Sequence, residues 1–300
     1  MLTNYFKTTF RNLWKHNSHT LINVLGLALG IAACIVIFLV LRFELSFDAF
    51  HPQTDRLYRF VTTLSRGETE RQWAGVPRPL TVAFRQDFSD EAEELIVEEY
   101  YHWNLVKAEE KTIELKVTAN GGAKIAFTEN PYFTFFHFPL LAGDASQVLR
   151  QPHETVITQS VAEKLFPDVA TAMGSVINLD DSMDLKIVGV MANLPENTDF
   201  PFEMLISYST LGREQVADQG WGDISSQFQV FLKLSKNVAL EQVEAQLPSL
   251  LTKYAGKDYA EYMQLSLQPF LIFTLVLITV TSPTALSPTK SFGGWDWWRC

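Results

Sequence analysis

The groups through which this 300-residue chain could do acid–base or metal chemistry are six histidines and 34 Asp and Glu residues. The histidines (His16, His19, His51, His102, His137 and His153) are scattered, and only His16 and His19 stand at a ligand-like spacing. Both lie among Lys7, Arg11 and Lys15, where positive charge for lipid headgroups is the expected use. Two cysteines, Cys34 and Cys300, supply neither a Cys/His zinc set nor a disulfide within the main domain. Glu93-Glu94, Glu98-Glu99 and Asp180-Asp181 have the composition of a glycosidase carboxylate pair, but in so acidic a chain they are expected on solvated faces. Tyr132, Phe133, Phe135, Phe136 and Phe138 could stack a ligand, and ordinary core is the expectation. The chain lacks G-x4-GK[ST], GxSxG, HExxH, GxGxxG and an EF-hand loop. No catalytic, cofactor-binding or metal-binding residue is therefore assigned, and no enzyme is expected.

The most constrained element is a membrane span. Leu21 to Leu41 is an uncharged apolar run of 21 residues, which at about 1.5 Å per residue crosses roughly 30 Å of hydrocarbon. It is too long for a signal peptide, and Arg42-Phe43-Glu44-Leu45 offers no small-residue cleavage site, so a retained anchor is expected. Lys7, Arg11 and Lys15 precede it and every acid follows it, which places the N-terminus in the cytoplasm. The main domain then lies outside the cytoplasm, and the product as it stands is single-pass. Residues 1–20 put Phe6, Phe10, Leu13 and Trp14 opposite the basic residues, as in a helix lying in the cytoplasmic interface, with Lys7, Arg11, Trp14 and Lys15 as anchors in membrane lipid. Gly26 with Gly30, and Ala28 with Ala32, repeat small residues four apart and form a candidate helix-packing face.

From Glu44 to Gln268, 33 acids face 18 Lys and Arg, a formal charge of −15, which argues against a nucleic-acid partner. Pro79 opens a short helix with Leu80, Phe84 and Phe88 four apart. Ile113, Leu115 and Val117 alternate as a half-buried strand, and Ser160 with Glu163 reads as a capping box before Leu165 and Phe166. Leu185 to Val190 reads as a buried strand. Phe228, Val230, Leu232 and Leu234, then Leu240, Val243, Leu247 and Leu251, then Met263, Leu265 and Leu267 give strand, helix, strand. The fold class is α+β: one transmembrane helix (21–43), then a two-lobed extracytoplasmic domain (44–269) with βαβ-like units.

Four segments carry a resemblance: FELSFDAFHPQTDRLYRF (Phe43 to Phe60), PYFTFFHFPLLAGD (Pro131 to Asp144), ETVITQSVAEKLFPD (Glu154 to Asp168) and IVGVMANLPENTDFPFEMLIS (Ile187 to Ser207). In this order, with NVLGLALGIAACIVI (Asn23 to Ile37) in front, they resemble FtsX/MacB-like ABC transporter permeases with an N-terminal MacB-like periplasmic core domain. The resemblance implies a permease subunit that does not hydrolyse ATP. A separate cytoplasmic ABC ATPase and a second permease copy would be its partners, and ATP-driven motion would reach the periplasmic domain for export or release of a substrate. The alternative is a stand-alone membrane-anchored binding or sensory domain.

Such permeases carry three further membrane helices after this domain. Phe270 to Val280 is only 11 residues of apolar and Thr character, too short to span, and Pro283 and Pro288 follow. Residues 270–300 are expected to be an out-of-frame tail, since a frame one base earlier can encode LSDIHF in place of Phe270 to Leu275, as the family has there. A product truncated in this way is expected not to support transport.

Overall fold

The computed structural model describes residues 17–67, 69–118, 121–212 and 220–270. These divide into two units between Phe47 and Asp48. The interfacial anchors Lys7, Arg11, Trp14 and Lys15, His16, and the tail from residue 271 lie outside the described residues.

The first unit is a helix, α1 (Asn17–Glu44), whose stretch Leu21–Glu44 contains an 18-residue window of mean hydropathy 3.1. None of that stretch is buried. A helix apolar on every side and covered on none is shaped for lipid, not for a protein core. Gly26 and Gly30 have open space where a side chain would stand, and Ala28 and Ala32 are exposed, so their packing face is open among the described residues.

The second unit begins with β1 (Leu57–Arg66), β2 (Thr69–Trp73), α2 (Pro79–Phe88) and β3 (Ala92–Tyr100). A long middle section follows: β4 (Leu105–Ala108), β5 (Lys111–Glu114), β6 (Ile125–Thr128), α3 (Tyr132–Phe136), β7 (Leu140–Ala142) and β8 (Glu154–Thr158). It continues through α4 (Gln159–Leu165), α5 (Val169–Ala172), β9 (Val176–Leu179), β10 (Met183–Met191) and β11 (Met204–Ser207). The unit closes with β12 (Phe228–Leu234), α6 (Leu240–Glu244), α7 (Leu247–Tyr254), α8 (Lys257–Tyr262) and β13 (Met263–Pro269).

Among the described residues thirteen strands join one sheet, ordered β13-β1-β12-β3-β6-β11-β8-β10-β9-β4-β5, with β2 on β1 and β7 on β10. Both β12 and β13 pair antiparallel with β1, so the terminal strand–helix–strand is a split βαβ with β1 between its strands. Together β1-α2-β3 and β12-helices-β13 make the βαββαβ arrangement of ferredoxin-like folds, and residues 105–207 are inserted between its second and third strands.

Strand alternation builds three cores from one sheet. Phe60, Ile96, Val230 and Leu232 face α2 and α7, packing with Leu80, Phe84, Leu247 and Leu251. Ile125, Phe127, Ile157, Met204 and Ile206 face α4 with Val161 and Leu165. The intervening Leu95, Val97, Ala126, Val156, Leu205 and Phe231 point the opposite way, into a shared core with Tyr132, Phe133, Phe135, Phe136, Phe138 and Phe200. The two lobes are thus two helical layers on one continuous sheet, joined on the reverse face by aromatic packing. The aromatic cluster is core, at most 5% exposed.

Several local expectations change. The Ile113 strand ends at Glu114, leaving Val117 exposed. The Ser160–Glu163 capping box does not form: Thr158 is the N-cap, Asn193 Oδ1 accepts from Ser160 N at 2.8 Å, and Glu163 Oε1 accepts from Gln159 Nε2. A tertiary partner has taken the donor that the box would have satisfied. The terminal helix is three short ones, broken at Pro248 and at Gly256, whose φ is 91°. The acid pairs are not uniformly solvated, because the strand period turns Glu94 inward while Glu93 stays out, and Asp180 accepts from Leu105 N at 2.7 Å and Tyr100 OH at 3.0 Å.

Candidate functional site

The chain passes from its apolar helix into the second unit at Asp48, and the residues that follow fasten it there. Asp48 has φ 50°, is 1% exposed, and donates its own N–H to Asn197 O at 3.1 Å. Its Oδ1 accepts from Thr198 Oγ1 at 2.6 Å and its Oδ2 from Asp199 N at 3.0 Å. A buried carboxylate is tolerable only when such donors replace its water, and here the loop between β10 and β11 supplies them. The left-handed backbone of Asp48 is held by bonds on both sides of the residue.

His51 stands one turn further on. Its side chain is fully buried, with Nε2 3.3 Å from Asp48 Oδ1, and it is ringed by Phe136, Phe138, Phe200 and Phe270 at centroid distances of 5.1 to 6.5 Å. Phe136 and Phe200 lie 4.2 Å apart, and Phe200 stacks on Phe270 at 5.8 Å. Phe270, assigned from sequence to the aberrant tail, is 2% exposed within this core. Arg59, on β1, is buried between Gln229 of β12 and Gln268 of β13, whose side-chain oxygens accept from it at 3.3 and 2.7 Å. Burial pulls its guanidinium down to about 9, with Asp199 opposing the shift. The joint therefore gathers the start of the domain, the 197–200 loop, α3 and the end of β13.

A second polar assembly crosses between the helical layers. Arg78 and Arg85, seven apart, project from the start and body of α2 toward Glu98 and Glu94, four apart on β3. Arg78 pairs with Glu98, donates to Tyr208 OH at 3.0 Å and lies 4.5 Å over the Phe228 ring. Arg85 donates from Nε to Glu94 Oε1 at 3.1 Å and from Nη2 to Glu129 Oε2 at 2.6 Å. Each arginine thus joins a carboxylate of the ferredoxin-like half to a group of the inserted half. Beside them opens a cleft of about 550 Å³, walled in part by Arg85, Glu94, Glu129 and Tyr208.

The small-residue face on α1 is the only sequence-assigned site whose residues are described. Sequence reasoning missed Asp48, Thr198, Arg78 and Arg85. The motif segments 43–60, 131–144 and 187–207 marked the joint, but not that they meet. Among the described residues no group of three or more His, Cys, Asp or Glu side chains could hold a metal ion.

The sequence matches the family described as the MacB-like periplasmic core domain over residues 20–250. No curated protein matches it. Among solved structures, a domain of a permease protein from Porphyromonas gingivalis is similar with a TM-score of 0.60 at 19% identity, covering 73% of this chain and 92% of that one. The periplasmic region of MacB from Actinobacillus actinomycetemcomitans is similar with a TM-score of 0.46 at 13% identity, again over 73% and 92%. The first likeness extends to the fold.

Proposed function

This chain belongs to the MacB-like periplasmic core domain family, and from that premise we propose that it is a permease subunit of an ABC transporter. It sits in the inner membrane with its N-terminus cytoplasmic and its sheet domain periplasmic. It hydrolyses no ATP itself. Its partners are a separate cytoplasmic ABC ATPase and a second permease copy, whose helices pack on the Gly26, Ala28, Gly30 and Ala32 face. The observation that carries this reading is that the family match runs from the apolar helix into the domain without a break.

The joint gives the reading a physical route. A displacement of the chain just after the helix reaches Asp48, which is bonded at N–H, Oδ1 and Oδ2 to residues 197–199. The hydrogen bonds of Asp48 beside a dense aromatic core pass on motion as a unit, because such interiors are stiff.

The test has two arms. A cysteine at exposed Gln72, in a background lacking Cys34 and Cys300, should react with an impermeant maleimide added outside spheroplasts; protection until lysis would overturn the orientation. Crosslinking in native membranes should recover an ABC-type ATPase with the full chain. Its absence, with the orientation upheld, would favour the stand-alone anchored sensory domain.

A further inference from the structure

Glu94, Arg85 and Glu129 hold two carboxylates around one guanidinium, and the charges do not balance. Glu94 is 7% exposed, its Oε1 accepts from Arg85 Nε, and its Oε2 is buried with no hydrogen-bond partner. An ionised carboxylate with an orphaned oxygen away from water is costly, whereas a neutral carboxyl leaves Arg85 and Glu129 as a balanced pair. That pair ties α2 to the inserted section, because Arg85 belongs to α2 and Glu129 lies in the turn between β6 and α3.

We propose that Glu94 is a proton-operated latch between α2 and the inserted strands, closed while its carboxyl is neutral and open once it ionises. On ionisation the surplus negative charge must be hydrated, and the adjoining cleft is the route by which water reaches it. The groups facing Glu94 are Arg85 from α2 and Glu129 from the β6–α3 turn. Across the sheet β12 presents Leu232, so no charge opposes it there. On its own strand Glu98 is engaged by Arg78, and Arg150 and Tyr208 are the other titratable groups lining the cleft. Burial raises the Glu94 carboxyl to about 8, with Arg85 opposing the shift and Glu129 adding to it. The latch rests on this geometry alone and stands or falls separately from the transporter reading.

The experiment measures the distance between spin labels at Val82→Cys on α2 and Gln151→Cys on the cleft rim. It uses the full chain in lipid nanodiscs with Cys34→Ser and Cys300→Ser, from about pH 6 to about pH 10. The unmutated latch should give one short distance at low pH and a longer population that grows through pH 8 or so. Glu94→Gln, which mimics the neutral acid, should hold the short distance throughout. Glu129→Gln breaks the closing pair and should give the long distance at every pH. An invariant distance in the unmutated chain, or opening of Glu94→Gln at the same midpoint, overturns the proposal. Where Glu94→Gln does not fold, Glu129→Gln decides: a short distance kept throughout the pH range has the same effect.

Discussion

Thr198 donates a 2.6 Å hydrogen bond to Asp48 across 150 residues of sequence, and both side chains are buried. Replacing Asp48 by Ala orphans that hydroxyl and the Asp199 N–H together. Loss of a buried, charge-assisted set of this kind should cost about 2–4 kcal/mol. Asp48→Asn, which keeps one acceptor oxygen, should cost less. Denaturant unfolding followed by tryptophan fluorescence reads both, and an Ala variant as stable as the parent would show that the joint is not held by this carboxylate.

Phe136 touches Tyr132, His51, Phe200, Phe231 and Phe270, and none of its surface is exposed. Truncation to Ala leaves a cavity in the core shared by both lobes, so about 3–5 kcal/mol of stability should be lost. The unfolding transition should remain single, because one sheet and one reverse-face core join the lobes. Two resolved transitions would contradict that description.

Glu94 makes stability depend on pH in a defined direction. Its folded-state value, about 8, lies above the ordinary 4.5, so the folded state holds the proton more tightly than the unfolded one. Its contribution is fully present below pH 4.5 and is lost progressively as the pH rises toward 8. Glu94→Gln should remove this dependence and flatten the upper part of the stability profile, measured as the denaturation midpoint against pH. An unchanged slope in the variant would refute the assignment.

Gly75 sits where a connecting segment passes over the chain before β12. A Cβ there would stand 1.7 Å from Ser225 O, and the Gly75 carbonyl accepts from Thr62 Oγ1 at 2.9 Å. Gly75→Ala should therefore destabilise the domain by about 3 kcal/mol or more, since the clash is with backbone and only a shift of that segment relieves it. Gly67→Ala is the informative control, because open space surrounds it and only its positive φ resists. It should cost about 1 kcal/mol.

Arg78→Lys keeps the charge but loses the planar fork that serves Glu98 and Tyr208 and lies over Phe228. About 1–2 kcal/mol should be lost, and a double-mutant cycle with Glu98→Gln should show coupling between the two sites. Strict additivity would mean that the pair contributes nothing to holding α2 on β3.

Sequence by itself determined what depends on near neighbours. The 21-residue apolar run needs no partner to be recognised as a lipid-facing helix, because length and charge decide it. The helix opened by Pro79, the alternation of β12 and β13, and the core character of Tyr132 to Phe138 follow from periods of 3.6 and 2, which are local properties of the chain. Which strand lies beside which is not local. Only the tertiary structure placed β1 between β12 and β13, made the middle section an insertion, and brought residues 48 and 198 into contact. It also overturned two readings: the Ser160 N–H found its acceptor in Asn193, and Glu94, one of many acids in an acidic chain, became a buried one. Asn193 stands 33 residues from Ser160, and Leu232, paired with Glu94 across the sheet, is further still, so burial and sheet order set these pairings.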